Sequence, residues 1–135
     1  MKIIHCADIH LDSKMSANLT KEKARERKTE LLTTFQNMVT YGAEQGVAAI
    51  IIAGDLFDTK NDEGSFTSSL SELPENLHLF GNNWTSYELS GTENTSGKGV
   101  AVTGVELTPE NSGSIYNTLS LDVDQCNIVV LHGQE

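Results

Sequence analysis

The stretch VAAIIIAGDLFD, residues 47–58, decides the fold class of this chain. Its apolar residues follow one another without alternation, which is typical of a strand that is covered on both faces in a parallel sheet. The run ends in Gly54 and Asp55. Open α/β sheets bind ligands beyond the carboxyl ends of their parallel strands, so Asp55 lies where a functional site is expected.

A strand and a helix precede this run and complete a βαβ unit. KIIHCAD, residues 2–8, predicts a first strand that is buried on both faces. Thr20 fits the N-cap of the following helix, and Gly46 fits its C′ stop. Between these two residues, apolar side chains recur at helical spacing at Ala24, Leu31, Phe35, Met38, Val39 and Ala43. A strand–helix–strand unit of this kind is expected to cross over with a right hand.

The rest of the chain alternates short apolar runs with polar turns. SFTSSLSEL (65–73) predicts a short helix that ends at Pro74, SGSIYNTLSL (112–121) predicts a helical turn, and SGTENTSGKG (90–99) predicts a loop or hairpin tip. Four further runs predict strands: NLHLF (76–80), WTSYEL (84–89), VAVTGVEL (100–107) and CNIVVLHG (126–133). A chain of 135 residues without a linker predicts a single α/β domain, residues 1–135, with room for a second sheet built from the middle strands.

Composition and charge narrow the range of environments and partners. The formal net charge of −10 argues against a broad basic surface for nucleic acid. No apolar run approaches the roughly 18 residues of a membrane-spanning helix, and the N-terminus reaches a charge too soon for a signal peptide. Cys6 and Cys126 lack a CxxC spacing, which predicts reduced core residues. We therefore expect a cytoplasmic protein without a membrane partner.

Six of the positive charges fall in one early stretch: Lys14, Lys21, Lys23, Arg25, Arg27 and Lys28. They would form a phosphate-contacting edge if they lay on one side of the fold. Glu22, Glu26 and Glu30 interleave with them at i,i+3 and i,i+4 spacings, which is typical of a solvated helix face. We favour the solvated face.

Three of the predicted strands end in polar residues that bind metals. The first ends in ADIH, the second in AGDLFD and the last in LHGQE. If strands 1–7, 48–54 and 127–131 are parallel neighbours, Asp8, His10, Asp55 and His132 converge at one edge of the sheet. Strand alternation would place Asp8 and His10 on the same side. Carboxylate and imidazole ligands together suit Mn²⁺, Fe²⁺ or Zn²⁺.

Two further aspartates and two further histidines are not interpreted as metal ligands. Asp12 and Asp58, which follow the two motifs, are interpreted as loop-stabilising residues, with a role behind the ligands as the alternative. His5 lies among apolar residues and is interpreted as structural. His78 lies in mid-strand and has no companion in the sequence.

The ordered set of motifs resembles the calcineurin-like metallophosphoesterase superfamily. IIHCADIHLDS and IIIAGDLFD are most similar to its DNA-repair exonuclease branch, the bacterial SbcD-type nuclease subunit, and NIVVLHGQE matches the place of the fourth-motif histidine. The resemblance implies an αββα sandwich, here incomplete because the chain corresponds to the N-terminal part of the catalytic domain.

The resemblance also implies a cofactor and partners. Asp8 and His10 would bind a first divalent metal, Asp55 would bridge to a second, and His132 would bind the second. The metal in this branch is usually manganese, with iron or zinc as alternatives. The implied partners are DNA, an ATPase subunit and a second copy of the chain.

Two parts of the family pattern are absent from the sequence. The third motif, Gly-Asn-His-Asp/Glu, supplies an asparagine ligand and the histidine that assists the leaving group, and no such string exists here. A late Gly-His-x-His is expected beyond Glu135. GDLFDTKN runs directly into DEGSF, so we expect the connecting helix and strand to be missing between Asn61 and Asp62. No catalytic residue is therefore assigned.

These departures leave three functional hypotheses open. The first is a metal-dependent phosphodiester hydrolase of the DNA-repair exonuclease type that is inactive or impaired in this chain. The second is a phosphatase or nucleotide phosphodiesterase of the same superfamily with a small substrate. The third is a non-catalytic interaction module.

Overall fold

The computed structural model of the protein describes residues 1–15, 18–57, 73–89 and 99–133. Within these residues the fold is mixed α/β, with one long helix, two three-stranded sheets and a 3₁₀ turn at Ile115–Thr118. The predicted helix at 65–73 and the Asn61–Asp62 junction lie outside the described residues, except for Leu73, as does most of the predicted loop at 90–99.

The first sheet is parallel and has the order β1–β2–β3. Its strands are β1 (Ile3–Ala7), β2 (Ala49–Ala53) and β3 (Leu77–Leu79). Helix α1 (Lys21–Glu44) connects β1 to β2. Thr20 caps α1 as predicted, because its side chain accepts a hydrogen bond from the backbone N–H of Lys23 at 3.3 Å.

The second sheet is mixed and has the order β4–β5–β6. Its strands are β4 (Thr85–Leu89), β5 (Val100–Glu106) and β6 (Cys126–His132). Strand β5 pairs antiparallel with β4 and parallel with β6, and Glu106 stands opposite His132 in the parallel register.

Two apolar cores join three layers: the helix, the first sheet and the second sheet. Alternate residues of β2 point to opposite faces. On one face Ala49, Ile51 and Ala53 pack against the second sheet. On the other face Ile52 packs with Phe35 of α1. These layers are consistent with the incomplete αββα sandwich that the sequence predicts, with one of its two outer helical layers present among the described residues.

Two predictions about strands are wrong. Strand β1 is not buried on both faces, because it is the edge strand of its sheet and His5 is exposed. Strand β6 is not a neighbour of β1 and β2, because it belongs to the second sheet. Strand β2 is buried along its whole length between the two cores, as predicted, and pairs with β3.

Two side chains are packed differently from the prediction. His78 has a companion, because its ring stacks on Tyr87 with centroids 4.2 Å apart, and burial lowers the pKa of His78. Cys6 and Cys126 are free thiols. Cys6 is half-buried and burial raises its pKa, whereas Cys126 is exposed and is not a core residue.

The basic stretch adopts the conformation of a solvated helix face. Arg27 pairs with Glu30 at 2.6 Å, and both side chains are more than half exposed. No helix in the described part of the chain has both the length and the apolar character needed to cross a bilayer.

The end of α1 provides a test of this architecture. Gly46 has a φ of +59°, and a Cβ built there would meet nothing within 4 Å. Gly46→Ala should therefore destabilise the fold by about 1–2 kcal/mol, which is the cost of a left-handed L-residue. Urea denaturation is the measurement. Gly113→Ala is the control, because Gly113 also faces open space and has no positive φ, so it should be close to neutral. Equal stabilities of the two variants would contradict the assigned helix end.

Candidate metal centre

The loops that follow β1 and β2 are joined by their backbones. The N–H of His10 donates to the carbonyl of Asp55 at 2.9 Å, and the N–H of Leu11 donates to the carbonyl of Leu56 at 2.9 Å. The Leu11 and Leu56 side chains are buried against the helix. These bonds extend the contact between the two segments beyond the ends of their strands and fix the first motif against the second.

Four residues at this edge of the first sheet have a left-handed backbone. The φ values are +53° at Asp8, +50° at His10, +62° at Gly54 and +41° at Asp55. Such a conformation costs an L-residue roughly 1–2 kcal/mol, although Asp tolerates it better than most. Strain that is concentrated in this way is typical of functional sites.

The same dihedrals correct the predicted reason for the pairing of Asp8 and His10. Strand β1 ends at Ala7, so alternation along an extended strand does not place them together. The turn after the strand does so instead. Asp8, His10 and Asp55 each offer a ligand atom, and these atoms lie within 4.8 Å of one another.

His132 reaches this edge from the second sheet. Its Nε2 lies 3.3 Å from Asp8 Oδ1 and 3.6 Å from Asp55 Oδ2. Its side chain is 19% exposed, compared with 61% for Asp8 and 41% for Asp55. The structure therefore brings all four predicted residues together, although they come from two sheets rather than one.

The sequence reasoning missed a fifth residue, Glu106. Ligand atoms of Asp55, Glu106 and His132 also lie within 4.8 Å of one another. A signal for Glu106 exists in the sequence, because the strand VAVTGVE ends in a carboxylate as the first two strands do.

Asp55 belongs to both groups of candidate ligands. Asp8 and His10 accompany it in one group, and Glu106 and His132 accompany it in the other, although His132 Nε2 also lies 3.3 Å from Asp8 Oδ1. The family resemblance implied the same assignment of Asp8, His10, Asp55 and His132 to a first and a second metal. The roles of these four residues as ligands stay a prediction. Asp12 is buried and belongs to neither group, and Asp58 lies outside the described residues.

The donor set fits divalent cations. Three carboxylates and two imidazoles gather at one edge, and the carboxylates repel one another unless a positive charge lies between them. Oxygen and imidazole donors together suit Mn²⁺, Fe²⁺ and Zn²⁺. The Nε2 of His132 faces the carboxylates of Asp8 and Asp55, while its buried Nδ1 has no hydrogen-bond partner among the described residues.

Comparison with protein families identifies the family of this chain. The model of the calcineurin-like phosphoesterase family matches residues 1–134. The chain belongs to this family. Members are metal-dependent phosphoester hydrolases, and the match includes both groups of candidate ligands. Neither the comparison with curated proteins nor the comparison with solved structures gave a match.

Gly54 leaves room for the imidazole of His132 in this metallophosphoesterase fold. A Cβ built on Gly54 would overlap the His132 ring at Nδ1, Cγ and Cε1. Only a residue without a side chain allows His132 to lie directly over the backbone between β2 and Asp55.

Replacing Gly54 should therefore disturb both folding and metal binding. Gly54→Ala is expected to cost more than the roughly 1–2 kcal/mol of an unfavourable φ, because His132 must also move. Gly46→Ala is the matched control, since its φ is nearly the same but its Cβ meets nothing. Urea denaturation in EDTA measures the first effect and Mn²⁺ titration the second. The interpretation fails if both variants lose equal stability and both bind Mn²⁺ as the wild type does.

Proposed function

We propose that this protein is a two-metal phosphodiester hydrolase of the DNA-repair exonuclease type, with manganese as its metal. The observation that carries the proposal is the sharing of Asp55 between two groups of candidate ligands. Two close cations, when bound, clamp the attacking and leaving oxygens of a phosphodiester. Asp8 and His10 would hold one cation, His132 would hold the other, and Asp55 would join them.

Other residues of this chain hold the candidate ligands in position. The two backbone hydrogen bonds between the loops hold His10 against Asp55, and Gly54 allows His132 to approach. The sequence contains no Gly-Asn-His string, so the histidine that assists the leaving group in similar enzymes has no counterpart in this chain. We therefore expect hydrolysis of DNA by this chain to be impaired, and substrates whose leaving group departs without receiving a proton to be hydrolysed faster.

DNA is the favoured substrate class, for two reasons. IIHCADIHLDS and IIIAGDLFD are most similar to the nuclease branch, and the exposed basic residues of α1 follow the first motif in the chain. The net charge of −10 favours the alternative, a small phosphoester, because an acidic surface repels a polyanion. Partners such as an ATPase subunit or a second copy belong to the same proposal.

Two substrates with different leaving groups test the proposal. In bis-p-nitrophenyl phosphate the nitrophenolate leaves without being protonated, whereas the alkoxide of DNA needs a proton. With Mn²⁺ the chain should hydrolyse the aryl diester. Its degradation of single-stranded DNA should be about 10²–10⁴ lower than that of a relative that retains the third motif, the usual cost of a lost catalytic participant.

Variants of the same chain provide the controls. Asp55→Asn should abolish hydrolysis of the aryl diester, because it removes the charge shared by both groups. Asp124→Asn, which changes an exposed aspartate outside both groups, should leave the rate unchanged. Absence of any Mn²⁺-dependent hydrolysis would favour the non-catalytic module. DNA degradation as fast as that of an intact relative would refute the role assigned to the missing histidine.

A further inference from the structure

Glu106 lies at the end of a series of residues that face the first sheet. Side chains two residues apart along a strand share a face. Val100 and Val102 of β5 pack in the core between the two sheets, and Glu106 continues their face beyond Gly104. His132 continues the face of Val130 on β6 in the same way. The side chains of Glu106 and His132 therefore leave the core together and approach Asp55.

The backbone of Glu106 is fixed by three hydrogen bonds around it. Its N–H donates to the carbonyl of Gly81 at 2.8 Å, and its carbonyl accepts from Asn111 Nδ2 at 3.0 Å. The N–H of Leu107 donates to the carbonyl of His132 at 2.6 Å. These bonds fix the Cα of Glu106, from which its side chain extends, relative to His132.

The carboxylate of Glu106 lies close to another carboxylate. Within residues 1–15, 18–57, 73–89 and 99–133, no Lys or Arg forms an ion pair with Glu106, which is half-buried. Asp55, another carboxylate, lies in the same group of candidate ligands. Apart from the His132 imidazole, whose Nε2 lies 3.6 Å from Asp55 Oδ2, this group contains no basic side chain. Its two carboxylates repel each other, so an external cation would stabilise them.

We propose that Glu106 is a direct ligand of the cation held by Asp55 and His132. This inference rests on the proposed two-metal function and adds a residue that neither the sequence motifs nor the family match assigns. Two carboxylates and one imidazole form an oxygen-rich donor set, which suits Mn²⁺ better than a site dominated by nitrogen or sulfur.

Isothermal titration of the full chain with Mn²⁺ tests the assignment. The wild type should bind two ions. Glu106→Gln should lose one binding event or weaken it by more than about 100-fold, which exceeds the roughly 10–100-fold cost of losing a partner that only orients a ligand. Glu75→Gln is the matched control, because Glu75 is exposed and belongs to neither group. It should bind two ions with unchanged affinity.

A second measurement separates lost binding from lost folding. Thermal unfolding in EDTA should show Glu106→Gln to be at least as stable as the wild type, because a charge that repels Asp55 has been removed. In Mn²⁺ the variant should gain less stability than the wild type, since binding to the native state is what raises it.

The outcomes distinguish the two proposals. If the wild type binds fewer than two ions, both the proposed function and this inference are overturned. If the wild type binds two ions and Glu106→Gln weakens neither by more than about 100-fold, the two-metal site stands and Glu106 is not a ligand.

Discussion

The whole site depends on the pair of backbone hydrogen bonds that joins the loops after β1 and β2. The parallel ladder brings the two strand ends to the same edge, and the bonds from His10 to Asp55 and from Leu11 to Leu56 continue that contact into the loops. Burial of Leu11 and Leu56 excludes water from beside these bonds. Strained left-handed residues are tolerated because this apolar anchor holds them.

The second sheet adds what the first cannot supply. A single parallel pair delivers Asp8, His10 and Asp55, which form one group around a single position. The core between the sheets places β5 and β6 so that Glu106 and His132 meet Asp55 from the second sheet. Packing of the two sheets therefore brings the second group together. A change that separated the sheets would separate the two groups.

Much of this was predictable from short-range patterns. The cap at Thr20, the buried β2 and the polar strand ends are local features, and each was read correctly from the sequence. The partner of β6 was not predictable, because an apolar run that ends in histidine fits either sheet equally well, and in the structure Val129 and Leu131 of this run are exposed. The pairing of Asp8 with His10 was predicted for the wrong reason, since φ values in a loop leave no periodic trace in the sequence. Glu106 was missed because it has no family motif around it, although it continues the core face of β5.

The central claim is that Asp55 stands between two cations. Crystals grown with Mn²⁺ and measured near the manganese absorption edge test this claim directly. The account predicts two anomalous peaks about 3.5–4 Å apart, as in other two-metal sites, with Asp55 touching both. One peak should be accompanied by Asp8 and His10, and the other by His132. A single peak, or a pair of peaks that Asp55 does not bridge, would contradict it.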